Sequence, residues 1–218
     1  MNLEIAVTIL TELASASCPS ESMRALALAE SSLGAEVESY LPLLRCLARR
    51  NEELSRLRSL ANRDPLTGVA NRRAFQDTLS REQARHDRTG EGFALMLIDL
   101  DGLKAINDSL GHSAGDTVIG AVAEAAATTA RSSDLVARIG GDEFAVILPA
   151  TGGAGARQLA RRMREAIERV DTLHGRPRVS VGVAACDEPG ADPNALFDRA
   201  DAELYRDKQA RKSARHAA

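Results

Sequence analysis

Apolar residues recur at helical spacing through the first 62 positions. Ile5, Ile9, Leu10 and Leu13 form one stretch, which Ser17-Cys18-Pro19-Ser20 interrupts with turn chemistry. A second stretch, Met23 to Leu33, ends at Gly34, a natural C-terminal cap. From about Ala35 to Asn62, the residues Tyr40, Leu43, Leu47, Leu54, Leu57 and Ala61 fit the a and d positions of three heptads, broken by Arg50. The segment reads either as a helix packed on its own domain or as a short parallel coiled-coil stalk. Arg49, Glu52, Glu53, Arg56 and Arg58 crowd the remaining face and favour the stalk.

Beyond Arg63 the period changes. Asp64-Pro65-Leu66-Thr67-Gly68 is turn chemistry, and a helical stretch runs on through Arg85. Phe93 to Ile98 is an apolar run closing on Asp99, as in a buried strand. Asp116 reads as the cap of an Ala-rich helix reaching about Ala130. Leu135 to Ile139 and Phe144 to Leu148 are strand-like about Gly140-Gly141, a hairpin signature. Gly155 to Val170 is helical, Val179 to Ala184 a strand, and Asn194 to Arg211 helical. The order β-α-β-β-α-β, with helices added at both ends, predicts an α+β domain with a ferredoxin-like core: one sheet with helices on one face, preceded by an all-α segment.

Composition narrows the classes of function. A length of 218 residues suits one domain of ordinary size with a smaller part beside it. The formal charge of −3 and pI near 5.9 offer no general attraction to a phosphodiester backbone. Four Phe, two Tyr and no Trp make a base-stacking platform a poor reading, so no nucleic-acid partner is expected. Cys18, Cys46 and Cys186 lie far apart without metal-ligand spacing, which suits a reducing compartment. The longest stretch without a charged residue, Ala145 to Ala156, contains Pro149 and three glycines and cannot span a bilayer. The opening residues carry no basic leader or cleavable apolar segment, so the expectation is a cytoplasmic protein without membrane insertion.

Two acidic pairs stand out. Asp99 and Asp101 end the first strand, while Asp142 and Glu143 follow the glycine pair. In this strand order the first strand and the hairpin are neighbours, so four carboxylates can converge at one place on the sheet. Singly, each acid is explained as a strand-end ion pair or turn cap. Together they repel, and a hard divalent cation relieves that, with Mg²⁺ favoured where substrate phosphates complete its octahedron. Gly140 and Gly141 would permit positive φ in a tight turn and also let backbone lie close to a phosphate.

These residues carry a resemblance. Arg138-Ile-Gly-Gly-Asp-Glu-Phe144 resembles the signature of the GGDEF-domain diguanylate cyclases. Asp64-Pro-Leu-Thr-Gly-Val-Ala-Asn-Arg-Arg-Ala-Phe75 is similar to the family's opening motif. Asp99-Leu-Asp-Gly-Leu-Lys-Ala-Ile-Asn-Asp108, followed by Gly111-His-Ser-Ala-Gly-Asp116, matches its nucleotide-binding stretch. Val179-Ser-Val-Gly-Val183 and Ala200-Asp-Ala-Glu-Leu-Tyr205 match its last strand and helix. Residues 63–212 would then be the catalytic domain, residues 1–62 a helical dimerisation or regulatory segment, and residues 213–218 a tail.

The resemblance implies that two GTP condense to cyclic di-GMP with release of two pyrophosphates, each 3′-hydroxyl attacking the other α-phosphate. It implies Mg²⁺ or Mn²⁺ on Asp99 and Asp142, with the Leu100 carbonyl as a further oxygen; Asp101, added by the residues alone, is not among the family's main ligands. Glu143 either activates the 3′-hydroxyl or touches a second metal. Asn107 and Asp116 correspond to the guanine-reading pair, although an Asx-turn and a helix cap also explain them. His112 lines the ribose or packs. Gly140 and Gly141 approach the substrate, Lys104 holds phosphate in the transition state, and Lys208 grips the terminal phosphates; for each lysine a solvated surface position is the bland alternative.

Several positions depart from the family. Gly102 and Leu103 stand where aromatic or histidine residues are common. Gln209-Ala210-Arg211-Lys212-Ser213 lacks the usual Gly-Arg-Asn, and Lys212 replaces an arginine, keeping charge but losing bidentate geometry. Arg131-Ser-Ser-Asp134, with Arg162, corresponds to the family's product-binding inhibitory site; an i,i+3 pair at a helix end is the alternative. The implied partners are GTP, cyclic di-GMP as product and inhibitor, a second copy in a homodimer, and a regulatory protein at residues 1–62. A non-enzymatic cyclic di-GMP receptor and another nucleotidyl cyclase on the same fold are the competing readings.

Overall fold

The structure is a computed structural model that describes residues 41–186 and 193–216. The expectations for Ile5 to Leu33 and for Tyr40 lie outside the described residues. The chain divides between Ala61 and Asn62. On the N-terminal side, α1 (Leu41–Asn62) is a continuous helix whose Leu54, Leu57 and Leu60 are 42%, 55% and 68% exposed. No helix among the described residues is long and apolar enough to cross a membrane.

The second unit is built around β2 (Phe93–Leu100), buried at all eight positions. Such a strand needs cover on both faces. Its even residues Ala94, Met96, Ile98 and Leu100 enter one core with α4 (His112–Thr129) and α5 (Gly153–Glu168). Its odd residues Phe93, Leu95 and Leu97 enter another with α2 (Arg72–Thr89) and α6 (Pro193–His216). Val118, Val122 and Ala126 line the inner face of α4, and Ala156, Ala160, Met163 and Ile167 that of α5, at the helical period.

The remaining strands are β1 (Ala70–Asn71), β3 (Leu135–Arg138), β4 (Glu143–Pro149) and β5 (Val179–Cys186), in the sheet order β1-β3-β4-β2-β5. The four long strands pair antiparallel, which is the expected ferredoxin-like core, and β1 adds to β3 in parallel. The two crossover helices do share one face. The added helices α2 and α6 cover the other, so the sheet is a middle layer and the expectation of helices on one face holds only for the core.

Three local readings are corrected. A short helix, α3 (Leu103–Leu110), precedes α4, and Gly111 with φ 85° is the break between them. Asp116 therefore lies inside α4 and is not its cap, and Asn107 lies in a helix and not in a turn. Neither Gly140 nor Gly141 adopts a positive φ. The absence of a side chain at Gly140 instead leaves room for Glu143, since a Cβ there would stand 2.4 Å from Glu143 Oε2.

Candidate active site

The pairing register centres one end of the sheet on Asp99. It lies opposite Glu143 on β4 and Ser180 on β5. Past the last rung, the Leu100 N–H donates to the Asp142 carbonyl at 3.0 Å and draws the hairpin turn onto the end of β2. Ile139 and Gly140 both donate to the Glu143 carbonyl, at 2.9 and 3.3 Å, which closes that turn. Arg138 braces it from outside: its guanidinium donates to the Gly141 carbonyl at 2.8 Å and to Asp64 at 3.2 Å. Burial would lift the Asp64 carboxyl, but hydrogen bonds from Thr67 and the charge of Arg138 hold it below its ordinary range.

Asp99 is 6% exposed, and its Oδ2 lies 2.7 Å from the Lys208 ammonium on α6. Burial pushes its carboxyl up, Lys208 pulls it back, and the neighbouring Asp142 and Asp101 charges push again, leaving it above the ordinary value. The expected convergence of four carboxylates is not what the fold builds. Asp101 turns to β5, where Ser180 Oγ donates to it at 2.9 Å and Arg211 lies at 3.5 Å. Glu143 is exposed and lies along a groove of about 310 Å³ with Arg72, Phe75, Ile139 and Phe197. Among the described residues no three acidic, histidine or cysteine side chains are close enough to hold a metal together. What remains is Asp99, with the Lys208 ammonium against it, and Asp142 on the turn that the Leu100 N–H draws to the end of β2. Two carboxylates and the Leu100 carbonyl are hard oxygen donors that suit Mg²⁺ or Mn²⁺.

Asn107 and Asp116 come from the two helices that meet at Gly111. Asn107 Oδ1 is buried without a hydrogen-bond partner and presses on Gly115, where a Cβ would stand 2.0 Å from it. Leaving such an oxygen unmet costs about 1–3 kcal/mol, which a ligand N–H would recover. Asp116 and His112 are exposed on α4, Lys104 is exposed in the first turn of α3, and Lys212 is exposed on α6.

Arg131, Asp134 and Arg162 line one pocket of about 370 Å³, together with Leu148 and Ala150 to Gly152 at the far end of β4 from Glu143. The Asp134 carboxylate accepts the Arg131 backbone N–H at 2.8 Å, so the pair forms a closed turn and not a side-chain ion pair. Sequence reasoning missed Ser180 and Arg211 around Asp101, and the Asp64–Arg138 brace. A serine facing an acid across two strands leaves no local signal.

The model of the family described as diguanylate cyclase, GGDEF domain, matches residues 61–214. The diguanylate cyclase DgcP of Pseudomonas aeruginosa is 42% identical over 157 residues, 70% of this chain and 23% of its own. NbdA of the same organism, named a cyclic di-GMP phosphodiesterase, is 37% identical over 70% of this chain and 20% of its own. The chain spans less than half the length of these curated relatives. Among solved structures, the coiled coil and GGDEF domain of DgcB from Caulobacter crescentus, in complex with cyclic di-GMP, is 32% identical with a TM-score of 0.71, over 80% of this chain and 95% of that one. The diguanylate cyclase SiaD from Pseudomonas aeruginosa, in complex with its activator SiaC, is 32% identical with a TM-score of 0.66, over 88% and 78%. A strand closing on Asp99, a hairpin presenting Asp142 and Glu143, and a match across both place this chain in the GGDEF-domain diguanylate cyclase family.

Proposed function

We propose that this chain condenses two GTP into cyclic di-GMP with release of two pyrophosphates, and that its product inhibits it. The observation that carries this reading is the buried Asp99 carboxylate beside Asp142, balanced by Lys208 and opposite Glu143 in the β2–β4 register. Asp99, Asp142 and the Leu100 carbonyl would hold Mg²⁺ or Mn²⁺. A bound divalent ion supplies neutralising charge at the transferring phosphate and acidifies the attacking hydroxyl.

The chain's own groups divide the rest. Glu143, exposed one strand away from Asp99, accepts the proton of the 3′-hydroxyl as its oxygen bonds to the α-phosphorus of the second GTP and pyrophosphate departs. The same exchange on the other side closes the ring. Lys208, Lys104 and Lys212 meet phosphate oxygens. The Asp116 carboxylate accepts from guanine N1–H and N2–H₂, the Asn107 carbonyl oxygen gains the donor it lacks, and His112 stands at the ribose. Such a substrate assigns the work to the cytoplasm.

One domain carries one carboxylate centre and one guanine corner, half of what a twofold-symmetric product requires. The exposed leucines of α1 give a second copy a surface to meet, and residues 1–62 a place for a regulatory protein to act. Deleting residues 1–62 should make activity per chain fall on dilution, while the full chain keeps it.

The test is purified protein with GTP and Mg²⁺ or Mn²⁺, with products separated by chromatography and pyrophosphate counted. Two pyrophosphates per cyclic di-GMP are expected, and Glu143→Gln should lower turnover by at least about a hundredfold, the scale of losing one transition-state group. Absence of product from GTP would overturn the enzyme reading. A receptor is the second reading, favoured by the Arg131–Asp134–Arg162 pocket standing apart from the carboxylates. In that case cyclic di-GMP binds and GTP is not consumed.

A further inference from the structure

β5 is an edge strand, and its outward backbone groups are met by side chains of α6. Val181 N–H donates to Asp207 Oδ2 at 2.8 Å, Val183 N–H to Glu203 Oε2 at 3.3 Å, and Arg199 donates to the Ala185 carbonyl at 2.9 Å. Residues 199, 203 and 207 are four apart, one row on the helix. The next member of the row, Arg211, reaches Asp101 and Glu168. Beneath the row the helix touches the strand directly, since a Cβ on Gly182 would stand 2.0 Å from the Ala200 carbonyl oxygen and 2.3 Å from Leu204 N. The row therefore fixes both the rotation of α6 and its slide along β5.

Lys208 follows Asp207 immediately. Its long stem has many rotamers, and ordering it over Asp99 depends on where the helix places its Cα. Asp207 is the member of the row that decides this, because its carboxylate takes the Val181 N–H and also pairs with Arg164 on α5. Three elements are tied together one residue before the lysine.

We propose that Asp207 is a positioning residue that sets the Lys208 ammonium at the carboxylate centre and so determines how firmly the nucleotide's terminal phosphates are held. The inference rests on the proposed function for the identity of the ligand, a nucleoside triphosphate. Beside its structural contacts with Val181 and Arg164, its effect on the triphosphate is proposed to travel through Lys208, and that is the part the experiment isolates.

The experiment measures binding of a non-hydrolysable GTP analogue and of GMP, by calorimetry, to the full chain and to Asp207→Ala, Lys208→Ala and the double variant. Asp207→Ala should weaken the triphosphate by about five- to tenfold and leave GMP within about twofold, as the loss of one charge-assisted contact predicts. The double variant should bind no more weakly than Lys208→Ala, the mark of two residues acting as one. Additive losses, or equal losses for triphosphate and GMP, would overturn the proposal. If Asp207→Ala does not fold, Asp207→Asn, which removes the ion pair with Arg164 at constant size, is put through the same comparison. Failure of the unaltered chain to bind the analogue would refute the GTP reading itself, an outcome distinct from additivity between the two variants.

Discussion

Gly140→Ala is expected to slow turnover while leaving the fold intact. The backbone at Gly140 has no positive φ, so alanine adds no conformational strain. Its Cβ, however, would stand 2.4 Å from Glu143 Oε2 and 3.2 Å from Glu143 Cβ and Cδ, where contacts below 3.0 Å are essentially never found. The carboxylate must withdraw from 2.4 Å to 3.0 Å or beyond. Misplacing a reacting group by about 1 Å costs on the order of a hundredfold, so the expected loss in kcat is about ten- to a hundredfold. Because the clash is with the end of an exposed side chain, stability should stay within about 0.5 kcal/mol. Gly141 is the control: nothing lies within 4 Å of a Cβ there, so alanine intrudes only on a ligand and should raise KM before it lowers kcat. Initial rates on GTP at several concentrations, with thermal denaturation of each variant, provide the comparison. Equal kcat for Gly140→Ala and the unaltered chain, or a loss that tracks a fall in melting temperature, would refute the argument.

Gly182→Ala pushes against backbone, so it should destabilise by about 3 kcal/mol or more and lower the melting temperature by roughly 6–12 °C; a shift below about 2 °C would show that α6 does not lie on β5 as described. The Asp64 carboxyl is held below its ordinary value of 3.8, so its contribution is present above about pH 4 and disappears as pH falls through the depressed folded value. Asp64→Asn should thus be less stable at neutral pH and converge with the unaltered chain in acid, and parallel urea midpoints across that range would remove the brace from the account. Arg131→Ala should raise the cyclic di-GMP concentration giving half-maximal inhibition by at least about tenfold, the worth of a charge-assisted contact; an unchanged inhibition curve would dissociate the pocket from regulation.

Long periodic segments were legible in the sequence because their periodicity is a consequence of burial. Phe93 to Ile98 reads as a run without alternation, and the structure covers that strand, which continues to Leu100, on both faces. Leu135 to Leu148 reads as a hairpin and is one. β1 escapes because two residues carry no period, and α3 because its eight residues lie inside a stretch dominated by motif residues. Asp116 was misplaced as a cap since the glycine that breaks the helix, Gly111, stands five residues earlier. At the site, the strand order implies that Asp99 and the hairpin are neighbours and the register sets Asp99 opposite Glu143, but the fate of Asp101 depends on Ser180 and Arg211, about 80 and 110 residues away, whose approach is tertiary. The row Arg199, Glu203, Asp207, Arg211 carries charge at four-residue spacing, and only the edge of β5 gives it meaning.

That row also governs how the protein behaves in company. Both margins of the sheet resist extension, one by the brevity of β1 and the other because the Val181 and Val183 N–H groups and the Ala185 carbonyl are already engaged. A strand from a neighbouring molecule finds no open ladder to join, which is how folded sheets resist amyloid-like growth. Unwinding or clipping the last turns of α6 would free the Asp207 and Glu203 partners and turn β5 into a template, and in the same event Lys208 would leave Asp99. Inactivation and self-association are thereby linked in a single segment, so material that loses activity on storage should be found in fibrillar or precipitated form before it is found unfolded in solution.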